Sequence, residues 1–436
     1  MKVGMISLGC SKNQVDSEMI LGLLTKSGFE ISLSIQDSDL IILNTCGFID
    51  EAKNEAIEEI ASIISLKKPD QKFVVCGCLA TRYKEFIEYN FKDVDLVISL
   101  KDYPRFPILV NNLFNKEMLF GDLSFNNRVL ISSKYSPYVR IADGCNNHCA
   151  FCSIPLIRGK YVSRSIDSIV EEVEGLVKDG AKEINLIAQD TSKYGVDNYH
   201  SLKLVELLNI LSEIDGIFLI RLFYIYPETI TDELIECIKS HDNIANYFDI
   251  PLQHASNDIL KLMNRHTTKE ESIDLINKIR KEIPDAVIRT SLMVGFPHEN
   301  NKHFNELLDF VKEVKFFHMG AFLYSREEDT KSYKYHLRVP KFISRRRYNK
   351  LMEVQMELAK EEKKKLIGKT YKAIVDSYDP QSLTFSLRNY MFAPDDVDSS
   401  IIATCPYENE IGLGDIVSVK IIGSNFYELY GEIIKE

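Results

Sequence analysis

Strand-length apolar runs alternate with helix-spaced segments through most of this 436-residue chain, which restricts it to an α/β architecture built on parallel sheets. Three such units fill the first hundred residues: the runs Val3–Leu8, Leu40–Asn44 and Lys72–Cys76, with helical spacing over Asp16–Ser27 and Asp50–Leu66. They predict a small doubly wound parallel sheet with helices on its faces. After a weakly patterned stretch from about Asn111 to Tyr135 the alternation resumes. Tyr138–Ala142, Glu183–Ala188, Phe218–Tyr224, Tyr247–Ile250, Val287–Val294 and Phe317–Leu323 read as strands. Helical patterns lie between them near Ser165–Lys178, Leu202–Leu211, Thr231–Ser240, Ser272–Lys281 and His303–Val311. Six repeats predict an open (βα)6 partial TIM barrel rather than the usual closed eight.

The remainder changes character. Lys341–Lys365 is a strongly basic helix candidate containing Arg345–Arg347 and Lys363–Lys365, and its simplest reading is a solvated linker. Beyond Gly368, the runs Tyr371–Val375, Leu383–Leu387, Ile401–Thr404, Ile416–Ile421 and Glu428–Ile433 predict a small antiparallel, OB-like β-barrel. Three domains are therefore expected, over 1–125, 134–365 and 366–436. No apolar run approaches the roughly 20 residues needed to span a bilayer, and Met1–Gly9 lacks a secretory signal. The expected compartment is the cytoplasm.

Nine cysteines in a reducing compartment are poorly explained as disulfides, which turns attention to iron or zinc. Cys145, Cys149 and Cys152 form a Cys-x₃-Cys-x₂-Cys run just past the first barrel strand. Three thiolates can hold three irons of a cubane, whose fourth iron is then open to the amino and carboxylate groups of S-adenosylmethionine. A structural zinc site is the alternative, and it would want a fourth ligand, for which only His148 is apparent. Cys10, Cys46 and Cys78 each follow a strand of the first sheet almost at once. Strand carboxyl ends share one edge of an open sheet, so these three thiols should converge. Cys76, inside a strand, Cys237 and Cys405 read as structural.

Gly9–Cys10, Asn44–Thr45–Cys46–Gly47 and Gly77–Cys78–Leu79–Ala80 stand in the first domain. The Cys145/Cys149/Cys152 loop follows, with Ile154–Pro155, Arg158–Gly159, Pro251–Leu252–Gln253–His254 and Val294–Gly295–Phe296–Pro297. With these motifs the chain resembles, over essentially its whole length, the methylthiotransferase family of radical S-adenosylmethionine enzymes. Its tail barrel looks like a TRAM domain, which recognises substrate in such enzymes. The resemblance implies two [4Fe–4S] clusters. Cys145, Cys149 and Cys152 would bind the radical-generating one, and Cys10, Cys46 and Cys78 an auxiliary one carrying the sulfur to be transferred. Phe151 would lie near the adenine. Gln189, Arg221, Gln253, Arg289 and Ser291, at or near strand ends, are candidates to hold S-adenosylmethionine or substrate. No acid/base pair is needed, because hydrogen-atom abstraction requires neither. One S-adenosylmethionine would donate the methyl group and a second the adenosyl radical, with an external electron donor such as flavodoxin or ferredoxin. The sulfur donor is not legible.

Family members act either on a tRNA adenosine or on an aspartate of small-subunit ribosomal protein S-twelve. Ser11–Lys12–Asn13, Ile141–Ala142–Asp143–Gly144–Cys145, Phe223–Tyr224–Ile225–Tyr226–Pro227 and Ala393–Pro394–Asp395 resemble the second branch. Asp396–Val397–Asp398–Ser399 departs from it, with an additional acid and no glycine after the last Asp. Charge favours the same branch. The chain carries −11, and from Gly368 onward five Lys/Arg face eleven Asp/Glu, so the tail should repel phosphate and attract a basic ribosomal protein, with Asp395, Asp396 and Asp398 in the recruiting surface. The basic helix points the other way, toward ribosomal RNA, if the substrate is modified within the subunit. A tRNA methylthiotransferase and a non-enzymatic iron–sulfur or RNA-binding protein are the alternatives.

Overall fold

The computed structural model describes residues 1–395, 397–405 and 411–435. Strands β1 (Lys2–Ser7), β2 (Glu30–Ile31), β3 (Leu40–Thr45), β4 (Lys72–Gly77) and β5 (Leu96–Ser99) form a parallel sheet in the order β2-β1-β3-β4-β5. Side chains alternate along each strand. Leu40, Ile42, Val74 and Cys76 pack on Ile20, Leu24, Phe106 and Val110 on one face, while Ile41, Leu43, Phe73 and Val75 pack on Ala56, Ile60, Ile63 and Ile87 on the other. The sheet is doubly wound, as expected. Its strand order reverses between β1 and β3, where such folds leave a crevice at the carboxyl ends.

The central region holds β6 (Tyr138–Arg140), the short antiparallel pair β7 (Ala142–Asp143) and β8 (Val162–Ser163), then β9 (Glu183–Ile187), β10 (Leu219–Leu222), β11 (Tyr247–Gln253), β12 (Val287–Val294) and β13 (His318–Leu323). Two parallel sheets, β10-β9-β6 and β11-β12-β13, are joined through a parallel bridge from Ile220 to Ile244. Six parallel strands thus make the incomplete barrel, and amphipathic helices such as Ile166–Lys178, N-capped by Ser165, cover its outside. Among the described residues no helix is long and apolar enough to cross a membrane.

The tail strands β14 (Thr370–Asp379), β15 (Thr384–Arg388), β16 (Ile401–Thr404), β17 (Ile416–Ser424) and β18 (Leu429–Ile434) close into a barrel in the order β14-β15-β16-β18-β17. Every pairing is antiparallel except β16 with β18. This barrel docks under the amino ends of the central strands. Tyr138, Leu219, Tyr247 and Val287, each the first residue of its strand, share one core with Ala373, Phe385 and Phe392.

Buried charge fixes the docking. Arg221 donates to Glu183 at 2.9 Å and to the carbonyls of Tyr390 and Asn389 at 2.7 and 2.9 Å. Arg388 reaches back to Glu183 at 2.6 Å. Asp398 accepts from the Tyr247 hydroxyl at 2.6 Å and from Arg289 Nε at 3.2 Å, and its side chain is only 3% exposed. Two expectations are corrected by this. Asp398 belongs to an interdomain core and cannot recruit a partner, because its carboxylate is already spent on buried donors; Asp396 lies outside the described residues. Arg221 and Arg289 serve the same joint and do not face the cysteine end of the barrel.

His318 lies in that joint, its Nε2 2.8 Å from the Met391 carbonyl. Burial lowers its pKa to about 4, against the opposing pull of Asp398. An unfolded histidine titrates near ~6.5, so between those values the unfolded chain binds the extra proton and stability falls as pH drops. Urea unfolding should therefore give a midpoint that declines from about pH 6.5 toward pH 4, with a shallower decline in His318→Gln. An equal slope in both proteins would contradict this assignment.

Candidate functional site

At the opposite end of the barrel, Gly144 follows β7 with φ +72°, and a Cβ there would meet the Lys160 carbonyl oxygen at 2.0 Å. Only glycine lets the chain turn there into the loop of Cys145, Cys149 and Cys152. The loop is pinned from several directions. Cys145 N donates to Gly159 O at 3.2 Å, Ala150 N to Met263 O at 2.8 Å, and Ser332 N to Ala150 O at 2.8 Å. Backbone N–H groups are aimed at the sulfurs, from Asn147 to Cys145 and from Ile154 to Cys152. Arg265 Nη1 lies 3.8 Å and the Tyr226 hydroxyl 4.0 Å from Cys149 Sγ.

In the first domain, Cys10 opens the helix Ser11–Lys26, Cys46 follows β3, and Cys78 begins the helix after β4. Close approach needs glycine here too: a Cβ on Gly9 would stand 2.7 Å from Cys46 Cβ. Gly47 and Phe48 direct N–H groups to Cys46, whose pKa is raised by burial and, to a lesser degree, by the nearby Cys10 thiol. Burial pushes Cys78 up to about 12 and Cys145 up to about 11. Such thiols become thiolates only beside a strong positive centre, which an iron cluster supplies on binding.

Donor chemistry fits that group. Each trio offers three sulfurs, N–H donors to thiolate and a nearby guanidinium, which are the elements that stabilise an iron–sulfur cluster. The zinc alternative fits less well. Tetrahedral zinc wants a fourth ligand, and His148, the one candidate in the loop's sequence, is exposed. Cys76 is a core thiol as expected, with no exposure, and Cys237 is buried against Asn209. Cys405 packs on the tail core.

The first domain and the barrel meet, beside Cys78, through Arg158. Its Nη2 donates to Asn13 Oδ1 and Asp16 Oδ2, both at 2.8 Å, and lies 3.9 Å from Cys78 Sγ, while Nη1 reaches Asp143 at 3.0 Å. Asn13 also donates to Thr45 O at 2.8 Å and accepts from Cys78 Sγ at 3.2 Å. Ser153, beside Cys152, bonds the Phe48 carbonyl at 3.4 Å. Arg82 and Glu327 close the same interface with a buried 2.6 Å ion pair.

Of the other candidates, Phe151 packs edge-on to Phe296 at 6.5 Å. Gln189 donates to Asp143 at 3.1 Å, and its buried Oε1 has no protein partner, as suits an acceptor awaiting a ligand donor. Gln253 ends β11 at a bulge with φ +71°, and Ser291 is half-buried in β12. The roles of Asn13, Arg158, Tyr226, Arg265 and Arg82 were not assigned from sequence. Asn13, Arg158 and Tyr226 lie in the quoted motifs, but Arg82 and Arg265 carry no local signal. The stretches containing Lys12 and Tyr224 also touch, the Lys12 ammonium lying 3.2 Å from the Tyr224 ring centroid.

Family models match in three segments: residues 2–99 the uncharacterized protein family UPF0004, residues 139–311 the Radical SAM superfamily, and residues 367–434 the TRAM domain. A ribosomal protein uS12 methylthiotransferase RimO from Carboxydothermus hydrogenoformans is 43% identical, covering 100% of both chains. The proteins of that name from Caldicellulosiruptor saccharolyticus and Clostridioides difficile are 42% and 40% identical, over 99% and 100% of this chain and 100% and 99% of theirs. Among solved structures, the radical S-adenosylmethionine methyltransferase TsrM from Kitasatospora setae shares the fold, with a TM-score of 0.56 at 14% identity over 76% of this chain and 73% of that one. The cobalamin-dependent radical enzyme OxsB gives 0.52 at 12%, over 82% and 56%.

Gly144→Ala should unseat the Cys145 loop without unfolding the barrel. Anaerobic reconstitution should then yield markedly less iron per chain than in native protein. Gly175→Ala, where an added Cβ meets nothing within 4 Å, should take up iron normally. Native iron content in Gly144→Ala would refute the geometric argument.

Proposed function

The chain belongs to the ribosomal protein uS12 methylthiotransferase family, and from that premise we propose that it methylthiolates the β-carbon of an aspartate in ribosomal protein uS12. Full-length identity above 40% to proteins of that name supports the substrate. Two trios of cysteines joined across one interface support the chemistry. It is a radical S-adenosylmethionine enzyme, and we assign one [4Fe–4S] cluster to Cys145, Cys149 and Cys152 and a second to Cys10, Cys46 and Cys78. When bound, these groups supply an electron for cleaving S-adenosylmethionine and a sulfur for transfer. An external donor, flavodoxin or ferredoxin, would deliver the electron, in the cytoplasm where thiols stay reduced.

The protein's own part is position and exclusion of water. Arg265 and Tyr226 lie against Cys149, and the edge-on Phe151–Phe296 pair packs apolar surface beside the cysteine loop. Gln189, Gln253 and Ser291 are proposed to orient S-adenosylmethionine. Arg82–Glu327, Ser153–Phe48 and the Arg158 contacts hold the two halves in register, so that a substrate carbon made reactive on one side finds sulfur on the other before it can attack protein. Exposed acids of the tail barrel, Asp379, Asp415 and Glu432, favour a basic substrate protein.

Reconstituted protein should hold about eight irons in two cubanes. Replacing Cys145, Cys149 and Cys152 by alanine should halve the iron and abolish 5′-deoxyadenosine. Replacing Cys10, Cys46 and Cys78 should halve the iron yet leave uncoupled cleavage, and a single cluster in native protein would overturn the assignment. In competition between uS12 and an undermodified tRNA anticodon stem-loop, mass spectrometry should find SCH₃ in place of hydrogen on the protein aspartate. Methylthiolation of the tRNA alone would replace the substrate while leaving the radical chemistry in place.

A further inference from the structure

The segment Lys331–Lys350 carries eight Lys/Arg and no Asp or Glu in a chain whose net charge is −11. Arg347 is buried on Glu299 and Lys350 pairs with Glu353. Lys331, Lys334, Arg338, Lys341, Arg345 and Arg346 are exposed and form no ion pair among the described residues. Ser344, Arg347 and Leu351 turn toward the barrel, with Ser344 against Gly295, so helical periodicity puts Lys341, Phe342, Arg345, Arg346 and Lys350 on the outer half. Phe342 is 76% exposed among these cations, and Leu337 is 65% exposed on the approach to the helix.

The strip is tied to the cysteine loop and to the aromatic residues packed against it. Ser332 N bonds Ala150 O, between two of the barrel cysteines, and Leu337 O accepts from His298 N at 2.7 Å. The Tyr335 ring packs edge-on to Phe296, which in turn packs on Phe151.

Resting on the uS12 reading, we propose that Lys331–Lys350 is an RNA-docking strip which grips ribosomal RNA beside the substrate loop, so that the enzyme acts on uS12 within ribonucleoprotein. Clustered unpaired cations match a phosphate backbone, and an outward aromatic among them offers a base a stacking face, which an acidic peptide would not use. The fold thereby separates two attractions. Acids of the tail barrel suit a basic protein, and the strip suits the RNA around it.

The test compares native enzyme with Lys334→Glu/Arg338→Glu/Lys341→Glu/Arg345→Glu/Arg346→Glu and with the same five positions changed to glutamine. Both are assayed on intact small ribosomal subunits and on free uS12. Native binding to subunits should weaken steeply with salt. Because each phosphate contact contributes about 0.7–0.9 to the log–log slope, the glutamine variant, which removes five cations, should lose roughly 3.5–4.5 from that slope, and both variants should modify subunits at least about tenfold more slowly. Free uS12 should be modified at the native rate. An unchanged salt slope, or an equal loss on free uS12, would overturn the RNA assignment. Absence of methylthiolation on either substrate by native enzyme would instead refute the uS12 reading.

Discussion

Arg158 is buried between two domains, with partners on each: Asn13 and Asp16 from the first, Asp143 from the barrel. A lone guanidinium would not enter such a place, because desolvation costs it several kcal/mol. Here the cost is offset by two carboxylates and an amide, and the result is a joint with little freedom to shift. Since the same guanidinium lies against Cys78 and its own segment leads directly from Cys152, the joint aligns the thiols of one domain with those of the other.

The far end of the barrel is built on the same principle. Glu183, Arg221 and Arg388 form a buried network between strand and tail, and Asp398 inserts among Tyr247, Arg289 and His318. Apolar groups of equal volume would hold the domains as firmly in many proteins. What ion pairs add is directionality: Arg221 satisfies two tail carbonyls and one barrel carboxylate only in a single orientation. The tail barrel is thereby held under the amino ends of the strands, leaving the carboxyl ends to the cysteines and the first domain.

Charge is divided accordingly. Acids at both interfaces are consumed by arginines, so net charge overstates what a partner meets on the surface. The basic strip is the reverse case, for its exposed cations lie on the segment leading into a helix and on the outer half of that helix, whose inner side is buried on the barrel. A single net value of −11 conceals both facts.

Much of this was legible in the chain. Alternating apolar periods specify the two parallel layers and the tail barrel, because strand and helix bury different spacings. Three small strands escaped that reading: β2 and β8 have only two residues each, and β5 is a single four-residue run. Cysteine spacing within one loop, and cysteines placed just after strands, identify both trios because strand ends share an edge. Arg221, Arg289 and Asp398 could not be placed, because each looks like an ordinary polar residue until its partner, 109 to 169 positions away, is known. Local sequence determined the elements and the two cysteine trios, since those follow from short-range periodicity and spacing. Tertiary structure alone decided which charges are buried at domain joints and which remain for a partner, since desolvation depends on what packs against a group rather than on what precedes it.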